Sequence, residues 1–554
     1  MSWEDAYRLH EQEWDSYEEL YDSFSWELPE TFNLARYVCD RWADDDGRIA
    51  LHAEPTDGSR TSYTYAELAT LSNQLANAFA NLGVERGDRV ALAAPQRVET
   101  LLVNLAAWKL GAISVPLAPQ FGPDAMAYRV GDSGAAICVV GGDNLETIRD
   151  ARSDLPSLEN TVAMDDEETL EDGELSLWSI IEDESETFDV VETDPDEDAV
   201  IVFTSGTTGD PKGVRTPHRL LIGCLPGYLT IHCNLELDED TTWRTPAGWG
   251  WMVFFVSTAT LFYGGTLVAY DGRYDPEVEL ELIERYDVTN WFAPPTVIRM
   301  MMQVEDADTY DVDSVRTIPT GGEAVGQSII DWADDLFGNC TVNEAYGQSE
   351  ALLTIGECGA VLESKEGMMG KPVPGHEVDV VDTETAEPLG PGEVGEIAVK
   401  HEENPVIFNG YWNKPELTEE KFVDGWLLTE DLGKKDEDGY VSFQGRKDDV
   451  IICSGYRVSP EELEETLATH EAVADAGVIG VDDETRGKVP KAFIVAADSY
   501  SPSDDLAETL QHFIKDRLAP YEYPRYIEFI DELPTTRVSG KLKRSKLREW
   551  EGDA

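Results

Sequence analysis

The sequence predicts a multidomain protein of the α/β and α+β classes. Three observations carry that prediction. Strand, helix and strand alternate early in the chain, the composition turns glycine-rich and strand-like from Gly390, and roughly the last hundred residues have an α+β pattern of their own. At 554 residues the chain exceeds a single compact core, and with 42% apolar residues it can bury several.

Taken in order, Thr64 and Glu67 form a capping box before leucines at helical spacing (Leu68, Leu71, Leu75, Leu82), and Gly83 supplies a C-cap. Residues 90–92 read as a strand, 98–110 as a helix stopped at Gly111, and 113–117 as the next strand. That is a βαβ unit, which implies a parallel sheet. Residues 165–198 are acidic and poorly patterned, with a short apolar piece at 177–181, and read as a surface excursion before a buried strand at 199–203. The apolar stretch 251–263 is too short to cross a bilayer and reads as core. A second strand–helix series occupies 266–337, and GPGEVGEIAVK at 390–400 opens the glycine-rich part. At the end come a helix at 460–469, strands at 474–481 and 491–495, a helix at 506–518 and a strand at 526–529.

Asp and Glu total 111 against 42 Lys and Arg, a formal net charge of −69. An acidic face for a basic partner would concentrate this charge in a block or tail. Here it is spread from Asp44 to Glu551, which points to a solvated acidic surface. Such a shell repels itself in dilute buffer and is tolerated when salt screens it. The expected setting is the cytoplasm of a salt-accumulating halophile. The same charge argues against nucleic acid as a partner, since it would repel the phosphates. Seven scattered cysteines without a CxxC pair fit reduced thiols, and the charged, aromatic start of the chain has no apolar signal core.

The strongest local signal is Thr204-Ser205-Gly206-Thr207-Thr208-Gly209-Asp210-Pro211-Lys212-Gly213, directly behind a buried strand. Its glycines let backbone N–H groups approach an anion, its hydroxyls add donors and Lys212 adds charge, so its chemistry is that of a phosphate cradle. Pro211 stands where a Walker A loop needs glycine. A flexible surface loop is the competing reading. In Glu344-Ala345-Tyr346-Gly347-Gln348-Ser349-Glu350, the last carboxylate is a hard oxygen ligand suited to Mg²⁺ and Tyr346 offers a flat face to a base. Taken singly, Glu350 reads equally well as a solvated residue at a strand end. Asp431 could take two ribose hydroxyls and Arg446 could bridge ribose and phosphate, although in so charged a chain either could be surface.

The 204–213 loop resembles the signature loop of the acyl-adenylate-forming superfamily of acyl-CoA synthetases, luciferases and adenylation domains. The likeness extends over nearly the whole chain. It is closest to medium-chain acyl-CoA synthetases, on WELPETFNLARYVCDRWA (26–43), EAYGQSE (344–350), SGYRVSPEELEE (454–465) and YEYPRYIEFIDELP (521–534). The resemblance implies a large N-terminal AMP-binding domain at 1–447, of mixed sheets with flanking helices plus a small strand barrel. A small mobile α+β C-terminal domain at 448–554 would follow a hinge at Asp448. It implies ATP and CoA as cosubstrates with Mg²⁺ on Glu350, and gives catalytic roles to Lys541, Glu350 and Thr207. The nucleotide would be held by residues 204–212, by Gly322, Glu323 and Ala324, by residues 344–349, and by Asp431, Arg446 and Lys541. CoA would meet Ser454, Gly455, Tyr456, Arg457, Arg486, Tyr523, Pro524, Arg525 and Gln120. Salt bridges to the abundant carboxylates are an equal alternative for the cationic members of that set.

The chain departs from the family pattern at Ser349, usually threonine, and at Glu430, usually glycine. In acetate-specific relatives a tryptophan closes the pocket where Gly347 stands here. The missing side chain therefore predicts acyl space, with Trp249 lining it, and an acid of short to medium length or branched form. The alternatives are an acetate or propionate ligase and, from another class, a non-catalytic ATP- or acyl-AMP-binding module.

Overall fold

A computed structural model describes residues 3–552 apart from 46, 143, 165–169, 205–210, 251, 323–324, 339, 448, 450, 454–455, 459, 484–486, 498, 516, 518–522 and 536–541; of residues 452, 453, 456, 457 and 487 it describes the backbone alone. Packing divides the chain into two compact units, Met1–Val378 with Val399–Gly425, and Asp379–Ala398 with Trp426–Ala554.

The first unit is built on two sheets. One has seven strands in the order Glu174–Ser176, Asn160–Ala163, Ile137–Val140, Arg89–Ala93, Ile113–Leu117, Asp198–Thr204 and Lys212–Pro217. All its pairs are parallel except the last, where Thr204 faces Lys212 across an antiparallel ladder. The predicted βαβ unit lies here, and the strands fall within one or two residues of expectation. The capping box is formed: Thr64 accepts from the Glu67 backbone and Glu67 accepts from the Thr64 N–H, opening the helix Tyr65–Asn81. The helix Val98–Lys109 is buried at every position. The acidic excursion holds a short strand, Glu174–Ser176, and a one-turn helix, Leu177–Ile181, where the apolar piece was read.

The other sheet has nine strands, in the order Lys371–Pro372, Ala351–Gly356, Thr341–Gln348, Thr317–Gly321, Asn290–Trp291, Thr242–Arg244, Thr266–Tyr270, Ile49–Glu54 and Thr61–Thr64. Its central pairs are parallel and both edges are antiparallel. A buried ion pair ties this sheet to the helix Pro276–Arg285. Arg244 meets Glu279 at 2.9 Å with both side chains 2% exposed, and Trp291 Nε1 donates to the same carboxylate at 2.9 Å. The apolar stretch after Trp251 forms the helix Met252–Phe262, buried as expected. Among the described residues no helix is long and apolar enough to cross a membrane. His232 is buried beside Tyr228, Trp243 and Phe292. Neither of its ring nitrogens has a hydrogen-bond partner among the described residues, and burial pushes its pKa down to about 3.

The second unit takes most of a small five-stranded sheet ordered Val378–Val381, Val394–Lys400, Trp426–Lys435 and Phe422–Val423, with Val441–Arg446 antiparallel on Trp426–Lys435. The sequence expectation puts these barrel strands before a boundary at residue 448, whereas packing groups most of them with the chain that follows. The antiparallel ladder of Trp426–Lys435 with Val441–Arg446, with a register shift between Leu432 and Gly433, precedes the α+β part in the chain. That part has strands ordered Tyr456–Val458, Ile451–Cys453, Gly487–Ala496 and Val473–Asp483, with Tyr526–Phe529 parallel to Gly487–Ala496. The helices Pro460–Ala468, Asp504–Lys515 and Arg544–Glu551 pack Leu463, Leu467, Leu510, Ile514 and Leu547 against Val478, Phe493 and Ile494.

Candidate active site

In the first unit the predicted site residues gather at the carboxyl ends of strands, where open α/β sheets bind ligands. Thr204 ends its strand, and Lys212 starts the antiparallel return. Residues 205–210, including Thr207, lie outside the described residues. The far side of the loop is anchored at the Pro211 carbonyl, which accepts from the Tyr128 hydroxyl at 3.2 Å and from Lys414 Nζ at 3.3 Å.

The strands Thr317–Gly321 and Thr341–Gln348 run side by side in register, Thr320 beside Glu344 and Gly321 beside Ala345. A Cβ on Gly321 would lie 2.3 Å from the Ala345 carbonyl oxygen, so glycine is required for this approach. Gly322 then turns with φ at +87°, again a glycine conformation, and Glu323 and Ala324 lie outside the described residues. The two segments assigned to adenine by resemblance are thus adjacent along the backbone. Asn343, fully buried, pins the second strand through Nδ2 to the Ile231 carbonyl at 3.0 Å. The Glu344 N–H donates to the Glu357 carboxylate at 3.1 Å; burial holds Glu357 above the usual carboxylate range.

Glu350 follows this strand and is 8% exposed. Its Oε1 accepts from the Tyr411 hydroxyl at 2.6 Å, and Lys212 Nζ stands 5.2 Å from the centroid of the Tyr411 ring. Tyr411 therefore joins the phosphate loop to the carboxylate, a link that patterning missed because 61 residues separate its partners in sequence. Glu350 fits a magnesium site: Mg²⁺ favours one or two carboxylates together with substrate phosphate oxygens over an all-protein cage. Among the described residues no cluster of three His, Cys, Asp or Glu suited to a metal occurs.

Gly347 is corrected by the structure. Its missing side chain predicts acyl space, but a Cβ there would lie 2.4 Å from the Leu353 backbone nitrogen and 3.0 Å from the Ala351 carbonyl oxygen. The glycine is demanded by the tight antiparallel return Ala351–Gly356, and backbone fills the side on which a pocket is expected. Trp249 is 2% exposed and packs on Phe254 with ring centroids 5.3 Å apart, while Gln120 is exposed after the strand Ile113–Leu117.

In the second unit Asp431 and Arg446 face each other across their ladder, with Arg446 Nη1 2.9 Å from Asp431 Oδ1. Arg446 Nη2 also reaches Glu430 at 3.3 Å. Glu430 has φ at +64°, which accounts for the glycine usual at this position. The backbone register places Cys453 opposite Gly487. Ser454, Gly455, Arg486, Asp448 and Lys541 lie outside the described residues, and Tyr456 and Arg457 sit on the edge strand Tyr456–Val458. Tyr523 is flanked by two cations, Lys515 and Arg525, each 3.8 Å from its ring centroid, and Gln511 donates to the carbonyls of Pro524 and Arg525, both at 3.0 Å.

Comparison with known proteins identifies the family. A family described as AMP-binding enzyme matches residues 39–412, and its C-terminal domain matches 462–541. The chain is 35% identical to an acetyl-coenzyme A synthetase of Bacillus subtilis, over 97% of this chain and 95% of that one. It is 32% identical to a mitochondrial acyl-coenzyme A synthetase of Mus musculus, over 97% and 94%. The crystal structure of the anthranilate CoA ligase AuaEII in complex with anthranoyl-AMP superposes with a TM-score of 0.84 at 26% identity, covering 95% of this chain and 98% of that one. With both family domains matched in order along the chain and relatives 32% and 35% identical over nearly its whole length, the chain belongs to the AMP-binding enzyme family and is an AMP-forming acid–thiol ligase.

Proposed function

We propose that this ligase activates a carboxylic acid larger than acetate, of short to medium length or branched, and passes it to CoA through an acyl-adenylate. The observation that carries the adenylating half is the convergence of Lys212, Tyr411 and Glu350 at the carboxyl ends of the two sheets. A carboxylate is a poor electrophile. Its oxygen attacks the α-phosphorus of ATP, the bond to pyrophosphate breaks, and AMP then leaves when the CoA thiolate attacks the acyl carbon. In the first step negative charge grows on phosphoryl oxygens. The 204–212 loop, Thr207 included, and Lys541 stabilise it electrostatically. Glu350 would hold Mg²⁺, which when bound would supply Lewis-acid neutralisation of the same charge. Tyr346 and the backbone of 322–324 and 344–349 position adenine, and Asp431 and Arg446 hold the ribose.

The C-terminal domain then turns at Asp448 and presents Gly455 and its neighbours to the pantetheine arm, with Arg486, Arg525 and Gln120 toward the nucleotide end of CoA. An acid larger than acetate is supported by the motif likeness to medium-chain synthetases and by Trp249 as an apolar wall, since each buried methylene contributes about 0.8 kcal/mol. The dispersed net charge of −69 supports a salt-rich cytoplasm as the working environment.

A CoA-ligation screen from acetate to dodecanoate, with branched and aromatic acids, tests both points when run in dilute buffer and in molar KCl. The expected optimum lies beyond propionate and only in high salt. An optimum at acetate defeats the chain-length reading, full activity in dilute buffer defeats the salt reading, and absence of acid-dependent ATP–pyrophosphate exchange defeats catalysis altogether.

A further inference from the structure

Apart from the placing of Tyr411 between Lys212 and Glu350, Gly410-Tyr411-Trp412-Asn413-Lys414-Pro415-Glu416 has no task in the mechanism above. In the structure it is stitched to both halves of the ATP site. The Trp412 N–H donates to the Gly213 carbonyl at 2.7 Å, the Arg215 N–H donates to Gly410 at 3.0 Å, and Tyr411 forms an isolated bridge with Val214. On the other side the Phe408 N–H donates to the Glu350 carbonyl at 3.0 Å, and Ile407 bridges Ala351. The Tyr411 side chain, 3% exposed, spans the space between them.

Two of its contacts do different things. The hydroxyl, 2.6 Å from Glu350 Oε1, makes a short bond to a nearly buried carboxylate. That bond occupies one carboxylate oxygen and fixes the plane of the group. The ring face attracts the Lys212 ammonium at 5.2 Å. Among the described residues Lys212 forms no ion pair with Glu350, although such a pair would satisfy both and remove both from the nucleotide.

We propose that Tyr411 is a positioning residue for adenylation: its hydroxyl orients Glu350 so that the second carboxylate oxygen serves the nucleotide-bound cation, and its ring keeps Lys212 from pairing with that carboxylate. The proposal rests on the reading of Glu350 as the magnesium ligand. Outer partners of metal ligands are usually worth about ten- to a hundredfold in metal affinity.

The test measures Mn²⁺ binding to the full-length protein with a non-hydrolysable ATP analogue and no acid, by the electron paramagnetic resonance signal of free Mn²⁺. Tyr411→Phe keeps the ring and removes only the hydroxyl. It is expected to weaken Mn²⁺ binding about tenfold or more, while CoA transfer from supplied acyl-AMP changes less than about twofold. Tyr411→Leu, which also removes the ring, is expected to raise KM for ATP beyond the Phe variant. Glu350→Gln is the reference: unchanged Mn²⁺ affinity there would discard the magnesium reading itself. If Glu350→Gln weakens Mn²⁺ binding and Tyr411→Phe, folded as judged by an unaltered thermal midpoint, does not, the role given to Tyr411 is overturned.

Discussion

Glu430 holds φ at +64°, where a side chain crowds its own backbone and glycine sits without penalty. Its ion pair with Arg446 is 44% exposed on the glutamate side and offsets little of that strain. Glu430→Gly should therefore raise stability by about 1 kcal/mol, read from denaturant midpoints in molar KCl. His232 is the opposite case, a titratable ring in a dry aromatic setting. With its folded pKa near 3 and an unfolded value of 6.5, it stays neutral in the native state while the unfolded chain takes up a proton. The stability it permits is complete above the unfolded value and is lost as pH falls toward the folded one. His232→Phe should gain on the wild type by about 2 kcal/mol between pH 8 and pH 5, measured as the change in their stability difference. As candidates, Thr204, Lys212, Glu350 and Asp431 were legible by residue type and motif context, with Glu350 and Asp431 ambiguous when taken singly. Gly347 was not, because a glycine that makes room and one that lets two strands close look the same without the return strand.

Elements were legible where a local rule generates them. The capping box at Thr64 starts a helix because it satisfies two otherwise orphaned N–H groups, and the strand Ile113–Leu117 falls where its apolar run predicts. Neighbours in a sheet are set instead by long-range packing, so nothing local places Ile49–Glu54 beside Thr266–Tyr270 or the 410–416 segment beside Val214. The Arg244–Glu279 pair illustrates what such packing demands. Glu279 satisfies Arg244 and Trp291 together, in surroundings where a lone charge is poorly solvated. Glu279→Ala strands Arg244 without its counter-ion and should cost about 3–5 kcal/mol, seen as a lower thermal midpoint with the variant kept in high salt.

At the scale of the whole molecule, one C-terminal domain serves two half-reactions in the proposed mechanism. Lys541→Ala should then lower acid-dependent ATP–pyrophosphate exchange by about a hundredfold or more, yet leave thioester formation from supplied acyl-AMP within about threefold of wild type. Equal loss of both would remove Lys541 from its assigned step. The acidic shell acts on this scale too, since 111 carboxylates dispersed over the chain set solubility and salt response without specifying any element.

The strand Lys212–Pro217 closes one edge of the seven-stranded sheet, and its outer partner is the segment through Asn409 and Tyr411, 194 residues later than Arg215. During synthesis that edge emerges long before its cover does. A ribosome must translate roughly two hundred further codons, about ten to forty seconds at bacterial rates, with an unpaired β edge exposed. Chains stopped just short of Asn409 should form oligomers that chains ending beyond Glu416 do not, as sedimentation of the two fragments would reveal. The stretch that links Lys212 to Glu350 is thus also the cap that ends the nascent chain's period of greatest risk.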